Sequence, residues 1–306
     1  MTEVRRRTFP LEPLRPVVGT VFGTQRSLRR GPGSDAAGSR PYRPGDRLSS
    51  IDWAASARLS AITGGDDFVV RETYAEDAPR VVVVLDRRPS MGLYGPGLPF
   101  LSKPRAVRGV VAAIAASARA ARAEIGWLDF GAGQATWLPP RNTFPPSLVE
   151  RRIAAPYDGP ADTISQALRH LARHGTDAPK GTFVFLVSDF LSVPPAASWR
   201  PAVARGLDLV PVIVQDPVWD ASFPDVAGVV LPVAAPGEER GAGVRLSATE
   251  VAARRQANER RARLLGDRLR GFGVDPVVVE AEETAEIDAA FAAWAARRRL
   301  LRRAHG

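Results

Sequence analysis

The 306-residue chain has no cysteine. Disulfides, thiolate metal sites and cysteine nucleophiles are excluded together. Lysine is nearly absent too, standing only at Lys103 and Lys180. No stretch reaches the roughly 18 to 20 uncharged apolar residues that span a bilayer. The start carries Arg5-Arg6-Arg7 but no apolar segment behind it, and Pro10, Pro13 and Pro16 interrupt the next ten residues. That pattern predicts no signal peptide and a cytoplasmic protein.

The residues present fit a soluble globular chain. Hydrophobic residues make up 45% and charged residues 25%, enough for one large domain or two modest ones. The net charge of +9 is carried by arginine. A basic balance can serve nucleic acid, anionic lipid or an acidic protein. The joint richness in Ala, Arg, Gly and Pro points instead to a G+C-rich genome, so no nucleic-acid partner is expected.

The organisation changes near residue 80. Residues 1–79 are rich in Gly, Pro, Ser and Arg, with turn signals at Gly31-Pro32-Gly33-Ser34 and Arg43-Pro44-Gly45-Asp46. Ala61-Ile62 and Phe68-Val69-Val70 read as short strands. This β-rich segment cannot hold a core alone and is expected to pack on the rest of the chain. Residues 80–306 alternate strand and helix. Val81–Leu85 and Phe183–Val187 are apolar on both faces, as buried parallel strands are. Ile125–Phe130, Ala135–Leu138, Leu209–Val214 and Val277–Val279 read as further strands. Val229–Val233 reads as an added edge strand. Pro211 removes a ladder donor, so its strand is expected near a sheet edge or to start late, and Pro232 argues against a central position for its own strand. Helices are expected over Lys103–Ala123, Thr163–His174, Ser247–Arg270 and Ile287–Arg303. Ser247 and Glu250 have capping-box spacing. The expected fold is α/β: a doubly wound, mostly parallel sheet with helices on both faces.

In such sheets, ligands bind beyond the carboxyl ends of the strands, where strand order reverses. Asp86 and Asp189 both stand at strand carboxyl ends. The run Asp86-Arg87-Arg88-Pro89-Ser90 resembles the metal-ion-dependent adhesion site of von Willebrand factor A domains: Asp, any, Ser, any, Ser, completed by a later Thr and a second Asp. Asp86 matches the first Asp, Ser90 the second Ser, and Asp189 the second Asp. Asp162 falls at the Thr position, with Thr163 one residue on. Such oxygen ligands suit Mg²⁺. The first Ser position holds Arg88, which departs from the pattern. A guanidinium there opposes a dication and can fork onto Asp86 or Asp189. Arg88 is therefore expected to stand in for the ion; an Arg88 turned to solvent would leave a degenerate site.

The N-terminal segment narrows the resemblance. Arg29-Arg30-Gly31-Pro32-Gly33-Ser34-Asp35, Arg40-Pro41-Tyr42-Arg43-Pro44-Gly45-Asp46, Ile51-Asp52-Trp53 and Ser56-Ala57-Arg58 stand in that order along the chain. This ordered set resembles the bacterial family catalogued as domain of unknown function 58, in which it precedes the von Willebrand A-like strand. The resemblance implies a non-enzymatic, protein-binding partner of a MoxR-type AAA+ ATPase, acting as an adaptor or chaperone-like factor. Within the signature, Asp46 is expected to cap the Pro44-Gly45 turn. Asp52 and Arg58 are expected to pair, and Trp53 to anchor the segment on the sheet.

Two other classes share these residues. A metal-dependent hydrolase or nuclease could use the acidic crevice, but needs a general base and a second cation site that the sequence does not offer. A nucleic-acid binder could use the arginine-rich surface. His170 and His174 lie four apart, but no third zinc ligand is evident, and they read as solvent-facing. Gly92–Gly97 lacks the spacing of a phosphate-binding loop. Arg297–Arg303 reads as a solvated helix end or a basic face.

Overall fold

The computed structural model describes residues 6–13, 22–30, 36–65, 67–93, 100–131, 133–141, 146–174, 176–233 and 242–305. Gly31–Asp35 of the signature and most of the Gly92–Gly97 loop lie outside them.

The N-terminal part forms a three-stranded antiparallel sheet. Its strands are β1 (Phe22–Arg30), β2 (Ala36–Pro41) and β3 (Val69–Asp77), in the order β1-β3-β2. Between β2 and β3 runs helix α1 (Trp53–Thr63). The strand expected at Ala61-Ile62 is thus corrected to a helix. Asp52 caps its start by accepting from the Ala55 amide at 3.0 Å, and Gly64 closes its end at φ +70°. Ile62 is 83% exposed, so its β-branch marks no buried strand.

The main sheet uses β4 (Arg80–Leu85), β5 (Glu124–Gly131), β6 (Gln134–Arg141), β7 (Phe183–Ser188) and β8 (Asp208–Val214). A separate antiparallel ribbon pairs β9 (Val230–Val233) with β10 (Ala242–Arg245), and β11 (Val277–Val279) completes the main sheet. The order is β11-β8-β7-β4-β5-β6, parallel except for β6, which runs antiparallel to β5. The edge strand expected at Val229–Val233 therefore pairs outside the main sheet. Pro211 lies on the penultimate strand, and the outer pairing to β11 begins only at Val212.

Successive strand residues point to opposite faces, so each central strand feeds two cores. One face presents Val81, Val83, Phe185 and Val212 to α2 (Lys103–Ala120) and α7 (Thr284–His305), through Val110, Ile114, Phe291 and Trp294. The other presents Val82, Val84, Val184 and Leu186 to α4 (Thr163–Arg173), α5 (Ala196–Ala204) and α6 (Ala248–Gly271), through Leu168, Trp199 and Leu269. Each such side chain contributes about 1.5–3 kcal/mol by leaving water. A short helix, α3 (Pro146–Ile153), comes after β6. The start of the chain belongs to the first core: Phe9 stacks on Phe291 at 4.5 Å and meets Phe185 and Trp294 edge-on. No described helix is long and apolar enough to cross a membrane.

Candidate functional site

Strand order reverses between β4 and β7, and an aspartate directly follows each strand, Asp86 after Leu85 and Asp189 after Ser188. The Asp86 amide still donates to Val187 O at 2.9 Å, so the two carboxylates rise side by side from paired backbone. Asp86 Oδ1 accepts from the Arg88 amide at 2.9 Å, which folds the loop into a tight turn. That turn aims the Arg88 guanidinium back into the crevice. Its Nε and Nη2 donate to Asp86 Oδ2 at 2.8 and 2.6 Å, and Nη2 also reaches Asp189 Oδ1 at 3.0 Å. Ser188 Oγ donates to Asp86 Oδ2 at 2.7 Å.

A second cation enters from α2. Lys103 Nζ lies 3.2 Å from Asp189 Oδ2 and 3.0 Å from Asp220 Oδ2. Asp86, Lys103 and Asp189 are fully buried, and the Arg88 side chain is only 10% exposed. The backbone supports the arrangement: Gln215 Nε2 donates to Asp189 O at 2.6 Å, and the Leu191 amide to Asp189 Oδ1 at 3.1 Å. Burial by itself pushes the Asp189 carboxyl up. Lys103, Arg88, the Ser90 hydroxyl and the Leu191 amide outweigh it and hold the group below the usual carboxylate range. Burial likewise works against the charge of Arg88, but Asp86 and Asp189 hold its proton more tightly than usual.

Of the residues singled out in the sequence, Asp86, Arg88, Ser90 and Asp189 meet here. Asp162 does not join them. It precedes α4 with a half-exposed carboxylate that accepts from Gln166 Nε2 at 2.6 Å and Arg169 at 3.1 Å. Those partners, Gln166 first, lower its pKa. Thr163 is buried, but its hydroxyl donates to Pro160 O at 2.6 Å. Lys103 and Asp220 were missed. The one available signal was that Lys103 is one of two lysines in an arginine-rich chain.

Mg²⁺ does not fit these residues. The oxygens that would hold it already accept from two buried cations, and a dication between them would meet like charge at contact distance. Among the described residues, no group of three or more His, Asp or Glu side chains could hold a metal ion.

Arg87 points the other way, toward β5. It is fully buried, pairs with Asp129 at 3.0 Å and lies over Tyr157 at 5.4 Å. Arg152 and Trp127 Nε1 also donate to Asp129. Burial pushes the Tyr157 hydroxyl up.

The signature residues form a second, exposed cluster. Asp46 caps its turn through the Arg43 amide at 2.8 Å, with Gly45 at φ +101°, and Arg40 forks onto its two oxygens at 2.7 Å each. The Arg40 bond, then the Arg43 amide, hold its carboxyl at about 2. Asp52 pairs with Arg71 at 3.0 Å, not with Arg58, because it caps α1 while β3 passes beside it. Trp53 is no buried anchor. It is 62% exposed and touches Phe68 edge-on at 5.9 Å.

His170 is half-buried, stacked on His174 at 3.9 Å and edge-on to Trp137 at 5.2 Å. Burial, then His174, lowers its pKa. The basic end of α7 is not wholly solvated: Arg298 is buried on Asp208 at 2.8 Å and lies 4.4 Å over the Trp294 ring.

The model of the family described as protein of unknown function DUF58 matches residues 38–264. The chain belongs to this family. The match spans the signature from Arg40 to Arg58 and the strand-end crevice. Uncharacterized proteins of Mycobacterium tuberculosis and Mycobacterium bovis are 29% identical to this DUF58 protein over 240 residues, covering 76% of it and 71% of their own length. Among solved structures, the conserved hypothetical protein BatB from Bacteroides thetaiotaomicron aligns over 72% of this chain and 100% of its own, at 14% identity and a TM-score of 0.39. An aerotolerance-related membrane protein from Bacteroides fragilis aligns over the same shares at 14% identity and a TM-score of 0.40.

Proposed function

We propose that this DUF58 protein is a non-enzymatic protein-interaction module with a von Willebrand factor A-like core, and that it acts as an adaptor for a MoxR-type AAA+ ATPase. The observation that carries this reading is the buried chain Asp86–Arg88–Asp189–Lys103–Asp220 at the switch point. Strand order, with one antiparallel edge strand beyond β5, supports the von Willebrand A-like core. In such a core, a bound Mg²⁺ would supply an open position for a partner's carboxylate. Here internal cations occupy that role, so partner binding is metal-independent. The same burial argues against hydrolysis, because each carboxylate is already engaged and none is free to serve as a general base. The proposed location is the cytoplasm, where AAA+ machines have ATP.

Titrating the labelled protein with a MoxR-type ATPase in Mg-ATP tests this. The expected result is saturable binding, with no turnover of phosphodiester or ester substrates by the chain alone. Absence of binding, or Mg²⁺-dependent turnover by the chain alone, would overturn it.

A further inference from the structure

A groove of about 590 Å³ opens beside the strand-end crevice, between the loop after β7 and α6. Leu191 and Val193 form one wall, and Leu264 and Leu265 part of the other. Leu264 lines the groove and is 54% exposed, so its apolar surface is open to a partner. Arg260, Arg261 and Arg268 also line the groove, and no acidic residue does. Arg260, Leu264 and Arg268 recur every four residues and so form one row along α6. Among the described residues, Arg260 and Arg268 have no ion-pair partner, whereas Asp267 of the same helix is paired with Arg270.

Both walls touch the buried network. The Leu191 amide bonds Asp189, and Arg261 Nη2 donates to the backbone oxygen of Asp220. The groove is therefore held in shape by the same residues that close the crevice.

We infer that this groove is the docking site for an acidic, leucine-rich segment of a partner protein, with apolar side chains on Leu191, Val193 and Leu264 and carboxylates on Arg260 and Arg268. Charge complementarity selects the sign, and the apolar walls select a segment with side chains to bury. Nucleic acid fits less well, because the lining has no aromatic ring on which a base could stack. A membrane surface fits less well, because the apolar groups line a concavity and do not project as a ridge. The inference rests on the adaptor reading and names the surface that reading would use.

The test measures fluorescence anisotropy of a short labelled peptide alternating glutamate and leucine, with hydrogen exchange on the full chain. The expected result is saturable binding that weakens with salt and protects residues 191–193 and 253–268. The exposed-site variant Arg260→Glu/Arg268→Glu should weaken binding at least on the order of tenfold, and Leu264→Ala should weaken it less. Tighter binding of a lysine–leucine peptide, of an oligonucleotide or of anionic vesicles would overturn the inference, as would protection elsewhere or an unaffected double variant. The two proposals fail separately. If the double variant still binds the MoxR-type ATPase like wild type, the groove assignment falls and the adaptor reading stands. If the wild-type chain binds the acidic peptide in the groove but not the ATPase, the reverse holds.

Discussion

Asp46 and Asp189 are both aspartates gripped by arginine, yet water reaches only the first. Asp46 sits in an exposed turn, where Arg40 and the Arg43 amide fix the path of the signature. Its pairing is screened, and its worth lies in setting a local shape. Asp189 lies at the end of a central strand under Arg88 and Lys103, with no exposed surface. There, each charge depends on the others, because an unpaired one would face a desolvation cost of several kcal/mol. The same pair chemistry thus fixes an exposed turn at Asp46 and a buried strand end at Asp189.

The sharpest way to break this contrast is to remove one buried cation. Lys103→Met should destabilise the protein by about 3–5 kcal/mol in urea unfolding, because Asp189 and Asp220 lose their shared partner. A loss of less than about 1 kcal/mol would mean that water already reaches the network. Core packing gives a yardstick: Phe185→Ala should cost about 3–5 kcal/mol through its contacts with Phe9 and Trp294. At the exposed cluster, Asp46→Asn should lower the melting temperature less than Lys103→Met, and the difference from wild type should shrink in high salt.

Both Asp46 and Asp189 have folded pKa values below the unfolded value near 3.9. Their stabilisation is present above that value and is lost as pH falls through the folded pKa, so unfolding should set in below about pH 4. Asp46→Asn and Asp189→Asn should each flatten this acid limb; an unchanged limb in either variant would contradict the pairing seen at that carboxylate. The smallest effect is expected at His170. Its lowered pKa means that the unfolded chain binds the proton more tightly, so stability should fall slightly as pH drops below about 6.5. His170→Phe should remove that slope.

The strands of the main sheet were legible because β4, β7 and β8 are apolar on both faces, which only double burial explains. Asp86 and Asp189 were legible as strand-end residues, and Arg88 by its departure from a serine pattern. The features that escaped have physical causes. Helix α5 contains Pro201, which reads as a breaker. Helix α1 is largely exposed and has no apolar stripe, so its caps carry the signal. Asp162 was placed in the site by counting, but spacing does not say which way a carboxylate turns at a helix start. Lys103 and Asp220 come from distant parts of the chain, and only the folded sheet brings them to Asp189.

Internal cations close the strand-end crevice. Calorimetric titration of the wild-type protein with Mg²⁺ and Mn²⁺, beside Arg88→Ser, tests it most directly. No heat of binding is expected for the wild type and measurable binding for the variant, whose carboxylates have lost their guanidinium. Saturable binding by the wild type at the same carboxylates, removed by Asp86→Asn, would contradict it.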